Sequence, residues 1–112
     1  MKKLFEVVFM EDARRFLQQQ DEKTRKKIIF KIDLATYTRS SSNFKKLQNE
    51  IWEFRIRAER RQIRVLAFWD KRDKKRTLVI ATHGFFKDQQ KTPEKELSRA
   101  IRLRKAYFDQ HK

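Results

Sequence analysis

Residues 45–70 read KKLQNEIWEFRIRAERRQIRVLAFWD, and the spacing of apolar and basic side chains along this stretch decides the fold. From 51 to 57 the two kinds alternate. Trp52, Phe54 and Ile56 therefore share one side of an extended strand, and Glu53, Arg55 and Arg57 share the other. The alternation resumes at 62–70, where Ile63 and Val65 oppose Arg64 before the pattern becomes wholly apolar. Residues 58–61 are then the turn of a hairpin. One face of that hairpin is apolar and belongs against a core. The opposite face carries Arg55, Arg57 and Arg64.

Working outward, 44–47 reads as a short strand, 48–50 as a turn, 71–76 as a charged turn and 77–83 as a further strand. Toward the N-terminus, 39–43 is a Ser-rich break. Before it lie two helical patterns. Residues 11–20 place Ala13, Phe16 and Leu17 on one face. A second helix, capped by Asp21 and running to about 38, has Ile28, Ile29, Ile32 and Ala35 as its apolar stripe. Its Lys23, Arg25, Lys26, Lys27 and Lys31 read as a solvated face. Residues 4–9 form a first strand. Beyond Gly84 comes a lysine-bearing loop. Thr92 then caps a final helix, with Pro93 at its first position, Glu94 and Glu96 near its positive end, and Leu97, Ala100, Ile101 and Phe108 on one face. The order predicts an α+β fold: a small, mostly antiparallel sheet, two N-terminal helices packed on one face, and a C-terminal helix. At 112 residues, 1–112 is expected to be one domain.

A net charge of +15 on so short a chain attracts polyanions over long range. Nucleic acid is the favoured partner class, with an acidic protein as the alternative. Ten Phe, two Trp and two Tyr argue against a disordered basic tail, and a single Gly and a single Pro argue against flexible linkers. Without cysteine there is no disulfide framework, zinc knuckle or thiol nucleophile, and two histidines make no convincing metal set, so no metal or cofactor is expected. No apolar run approaches the roughly 20 residues of a membrane span. Glu6, Glu11 and Asp12 interrupt the apolar start, which predicts a cytoplasmic protein with no membrane partner.

The planar guanidinium groups of Arg55, Arg57 and Arg64 suit bidentate phosphate binding, unless Glu53, Glu59 or an acidic partner engages them. Downstream stand His83, Gly84, Phe85, Phe86, Lys87 and Lys91. Phe86 or Phe85 could stack on an unpaired base or belong to the core. His83 is a candidate contact or acid–base group, although a structural role is the preferred reading. RNA can be cleaved without metal because the ribose 2′-OH is an internal nucleophile. The protein must remove that proton, stabilise the phosphorane-like transition state and protonate the 5′-oxygen. A lysine, with a reference pKa of about 10.4, becomes a usable base when neighbouring cations lower it, which makes Lys87 and Lys91 candidates.

Three elements recur together in order: W-E-x-R at 52–55, R-V-L-x-F at 64–68 and H-G-F-x-K-x-x-Q-K-T-P at 83–93. With the strand–helix–helix start, they make nearly the whole chain resemble the RelE/HigB superfamily of bacterial toxins, in its phage-derived HigB-like branch. The resemblance implies an endoribonuclease that cleaves messenger RNA on the ribosome without metal or cofactor, and a helix-turn-helix antitoxin that neutralises it. It matches the strand arginine of that family to Arg57, with Arg64 beside it, and the following basic positions to Lys87 and Lys91. Lys45 and Lys46 correspond to contacts with messenger or ribosomal RNA. Some RelE-type enzymes carry a C-terminal tyrosine near the scissile phosphate, but Tyr107 falls at the far end of a helix and takes no such role, leaving the general base open. The alternative is a ParE-like inhibitor of DNA gyrase without nuclease activity. A third possibility is an inactive relative that binds only antitoxin and operator DNA.

Overall fold

The computed structural model describes residues 2–38, 42–88 and 90–111. Its elements follow in the order β1 (Glu6–Phe9), α1 (Glu11–Gln18), α2 (Glu22–Ala35), β2 (Phe44–Lys46), β3 (Trp52–Ala58), β4 (Arg61–Asp70), β5 (Leu78–Lys87) and α3 (Glu94–Gln110). The expected Ser-rich break falls between α2 and β2, and its residues 39–41 lie outside the described residues. Asp21 holds the N-cap position of α2, as its sequence suggests.

Five strands form one sheet in the order β1-β5-β4-β3-β2. The last four make an antiparallel meander, whereas β1 runs parallel to β5, Glu6 facing Leu78. A parallel pair needs a long crossover. Here α1 and α2 carry the chain over one face to the opposite edge, and the meander returns it to the side of β1. The α+β class and the mostly antiparallel sheet agree with the sequence pattern.

The two faces bury separate cores. Under α1 and α2, Phe16, Leu17, Ile28 and Ile32 meet Phe54, Ile56, Ile63 and Val65. Phe44 stacks on Phe54 at 4.3 Å there, beside Trp52 and Trp69. Under α3, Leu97 and Ala100 cover Leu66, Phe68, Ile80 and Phe85, with Ile101 and Phe108 packed at the margin. Ile29 does not join the expected stripe of α2. A helical step of about 100° from Ile28 turns it outward, 45% exposed, and Phe30 and Leu34 face solvent as well. Among the described residues no helix is long and apolar enough to cross a membrane.

Two boundaries differ from the sequence reading, and both shape the site. β5 does not stop at His83; it runs on to Lys87 because β4 offers a long ladder, with His83 opposite Leu66 and Lys87 opposite Gln62. A local irregularity between Leu66 and Ala67 is bridged by the Thr82 hydroxyl, which donates to the Leu66 carbonyl at 3.1 Å. Lys87 is thus a strand residue and not part of a loop. Likewise Thr92 does not cap the last helix. Pro93 takes that position, and the Thr92 hydroxyl donates instead to Glu53.

Candidate nucleic-acid interface

The hairpin turn is tighter than its sequence suggests. Ala58 pairs with Arg61 across only Glu59 and Arg60, and Glu59 adopts a left-handed φ of 57°. Register then decides which side chains meet. Arg55 faces Arg64, Arg57 faces Gln62, and Gln62 faces Lys87 on the next strand. These groups line the same side of the sheet that α3 covers further along. Just past the reach of α3 they open into a cavity of about 740 Å³, whose lining includes Arg55, Arg60, Arg61, Gln62, Arg64 and Lys87. It continues through Arg55, Lys87 and Gln90 into a second recess of about 430 Å³ that Lys91 lines. Through Arg55, Gln62 and Arg64 it reaches a shallower one beside Arg57.

Like charges this close need a counter-charge, and Glu53 supplies it. Its carboxylate is wholly buried beneath the cleft. One oxygen accepts from Arg55 Nε at 3.0 Å; the other lies 3.5 Å from Arg64 Nε and takes the Thr92 hydroxyl. Arg64 is further fixed by donating to the Ile63 carbonyl and to Gln62 Oε1, each at 3.1 Å. Burial pulls the Arg64 pKa down, Glu53 pushes it back, and Arg55 lowers it again. The guanidinium stays charged, since arginine holds its proton throughout the working range. The result is an oriented pair of arginines beside an ammonium. Lys87 has its pKa lowered first by burial, then by Arg64, with Glu53 opposing and Arg55 adding to the drop. Crowding by cations was expected there, but desolvation comes first.

Of the expected site residues, Arg55, Arg64 and Lys87 share the central cavity, while Arg57 and Lys91 line its two extensions. Phe86 borders the cavity from the other side of the sheet. Its ring lies against Phe16, with the Arg61 guanidinium 3.4 Å above it, so that face is already stacked. Phe85 belongs to the core. His83, only 1% exposed, does not line the cleft as a contact or acid–base group, in keeping with the structural role preferred for it. Its ring lies 3.0 Å from the Thr82 hydroxyl and 3.2 Å from Glu96, a link between β5 and α3. Burial, then Arg99, lowers its pKa, while Glu96 opposes. Lys45 and Lys46 part company: Lys45 pairs with Glu53 and lies on the cleft side, whereas Lys46 pairs with Trp52 and lies on the other.

The sequence reading passed over Glu53 as an organiser, treating it only as a rival for the arginines, and omitted Arg60, Arg61, Gln62 and Gln90. Gln62 was legible, since it alternates in step with Arg64. The others depend on the tight turn and on where residues 90–92 lie, which no periodicity marks.

Residues 15–105 match the family model described as Phage derived protein Gp49-like (DUF891). The chain belongs to this Gp49-like family. Among curated proteins, none matches it significantly. The family is associated with RelE-like toxins, and the matched span of this Gp49-like chain includes every cationic residue of the cleft.

At the far end of α3 in the Gp49-like chain, the Tyr107 hydroxyl donates to Asp70 Oδ2 at 2.7 Å. Arg72 grips the same carboxylate through two bonds of 2.9 Å. Tyr107 is thereby committed to fastening α3 onto β4, away from the cleft. The Arg72 bonds, helped by Tyr107 and opposed by burial, hold the Asp70 carboxyl well below the usual carboxylate range. A depressed pKa adds stability that is complete above the unfolded value of about 3.9 and lost as pH falls through the folded value. Acid unfolding of Asp70→Asn should therefore lose part of its dependence on pH below about 4, while the mutant is already weaker at neutral pH. Matching acid profiles for the two proteins, followed by circular dichroism, would rule out this role.

Proposed function

We propose that this Gp49-like protein is the toxin of a toxin–antitoxin pair, an endoribonuclease that cleaves messenger RNA on the ribosome. The supporting observation is the cleft in which Arg55, Arg64 and Lys87 converge over the buried Glu53. Cleavage there follows the chemistry of RNA itself. The 2′-oxygen attacks the adjacent phosphorus, a new P–O2′ bond forms, and the P–O5′ bond breaks. One product ends in a 2′,3′-cyclic phosphate and the other begins with a 5′-hydroxyl.

Arg64 and Arg57 oppose the charge that accumulates on the phosphoryl oxygens. Arg64 is fixed before the substrate arrives, and an oriented donor needs no reorganisation in the transition state. Lys87, with its lowered pKa, takes the 2′-OH proton in its neutral form, and Lys91 returns a proton to the departing 5′-oxygen. Lys45, on the cleft side of β2, contacts messenger or ribosomal RNA. The antitoxin partner is a helix-turn-helix protein, and the site of action is the cytoplasm.

Brief induction in cells, followed by mapping of transcript 5′ ends, tests this reading. Wild type should generate new 5′-hydroxyl ends inside translated frames, and Lys87→Ala and Lys91→Ala should each lower their yield by about 10²-fold or more, the usual scale for a positioned acid or base. Intact transcripts with growth arrest and broken DNA would identify a gyrase inhibitor instead. Unchanged yields in either lysine variant would remove that residue from the mechanism.

A further inference from the structure

A second cavity, of about 600 Å³, opens at the other end of the sheet and on its opposite face. The chain has two tryptophans, and both line it, together with Phe5, Lys46, Lys71 and Glu50, whose carboxylate lies 3.5 Å from the Lys46 ammonium and must yield it to a phosphate. Trp52 and Trp69 meet edge to face at 5.6 Å, forming a corner of two indoles. The Lys71 ammonium stands 5.2 Å over the Trp69 ring. That face of the indole is therefore covered by a flexible, exposed lysine and not by the core.

From this arrangement we infer that the Trp52–Trp69 corner is a second nucleotide-binding site, which stacks one unpaired base of single-stranded RNA and holds its phosphate with Lys46 and Lys71. The parts match the ligand. Every base has a π-face, and stacking on an aromatic side chain is tolerant of sequence. When a base occupies the place of the Lys71 ammonium over Trp69, the displaced cation meets the phosphate of the same nucleotide. The volume is within the range of small-ligand pockets. An acidic peptide would satisfy the lysines but has no need of a planar aromatic wall.

The edge strand β2 supplies the route between the two sites. Lys45 and Lys46 are neighbours on that exposed edge, one turned to each face of the sheet. An RNA strand leaving the cleft can thus pass Lys45, cross the edge at Lys46 and reach the tryptophans. Trp52 lies five residues along β3 from Arg57, about 16 Å at the usual rise per residue, a few nucleotides of extended strand. The inference depends on reading the protein as RNA-directed but not on its cutting RNA.

Because both indoles line this cavity, intrinsic tryptophan fluorescence reports on it directly. Titration with single-stranded hexauridylate at low salt should quench the emission in wild type and equally in Lys87→Ala, whose cleft is impaired. The surface double variant Lys46→Ala/Lys71→Ala should need roughly tenfold more RNA for half the effect, while its circular dichroism stays unchanged. Inorganic phosphate should leave the emission unaltered. Quenching by phosphate alone would reduce the site to an anion hole, equal quenching by polyglutamate would make it a peptide surface, and no quenching by RNA would dismiss it; each overturns the inference. Quenching without transcript cleavage keeps this site and discards the nuclease, and cleavage without quenching does the reverse.

Discussion

Glu53→Ala is expected to lower stability by about 3–5 kcal/mol, the usual consequence of removing one partner from a buried ion pair. For a chain of this size that is a fall of roughly 12–20 °C in melting temperature. The size of the effect comes from what stays behind. Glu53 is fully buried, and the Arg64 side chain is 9% exposed, so the mutation leaves a desolvated guanidinium facing Arg55 without a counter-charge. Added phosphate should restore more stability to the mutant than to wild type, because an anion in the cleft replaces the missing carboxylate. Glu53→Gln keeps the shape and a hydrogen-bond acceptor but not the charge, and should fall between the two. A mutant that melts within about 3 °C of wild type, or gains no more than wild type from phosphate, would show that the arginines do not depend on Glu53.

Gly84→Ala should also be costly, although it adds a single methyl group. Gly84 sits in the middle of β5, and a Cβ there would lie 2.4 Å from Phe16 Cδ2 and 2.7 Å from Cε2. The Phe16 ring is held between the strand and Phe86 and is 8% exposed, so it has little room to retreat. Overpacking of this kind costs about 1–3 kcal/mol. The displacement should travel through Phe86 to Arg61 and the mouth of the cleft, so that the proposed cleavage falls along with stability. Phe16→Leu in the Gly84→Ala background should recover part of the loss while being destabilising alone, a coupling that a double-mutant cycle measures. Strictly additive effects would mean that the two residues do not contend for the same space.

That glycine shows how far the sequence could be read. Its position after the expected strand 77–83 marked the start of the lysine-bearing loop, because glycine is the usual punctuation. Its actual use is to let a helix side chain approach the sheet, which depends on a partner nearly seventy positions away. Legible features were those with a local period: the Trp52/Phe54/Ile56 alternation, the arginines opposite, and the apolar face of α3. His83 lay beyond such reading, since its burial follows from where α3 crosses β5. So did the split of Lys45 from Lys46, which appears only once β2 is placed at an edge. Thr92 looked like a helix cap because its type and the following proline fit one, yet the buried carboxylate of Glu53 was the stronger claimant for its hydroxyl.

The strand order has a consequence for the timing of assembly. β5 occupies the interior of the sheet, between β1 and β4, yet it is the last strand to be synthesised. Until it inserts, β1 and the β2–β4 meander share no ladder of backbone hydrogen bonds, and only the packing of the helices and of Phe5 on the meander joins them. Contacts between distant parts of a chain form late, because closing long loops must come first. The cleft draws on β3, β4 and β5 together, so it is incomplete until β5 has been made and inserted. A protein directed against translating ribosomes would on this plan stay harmless to the one that is making it.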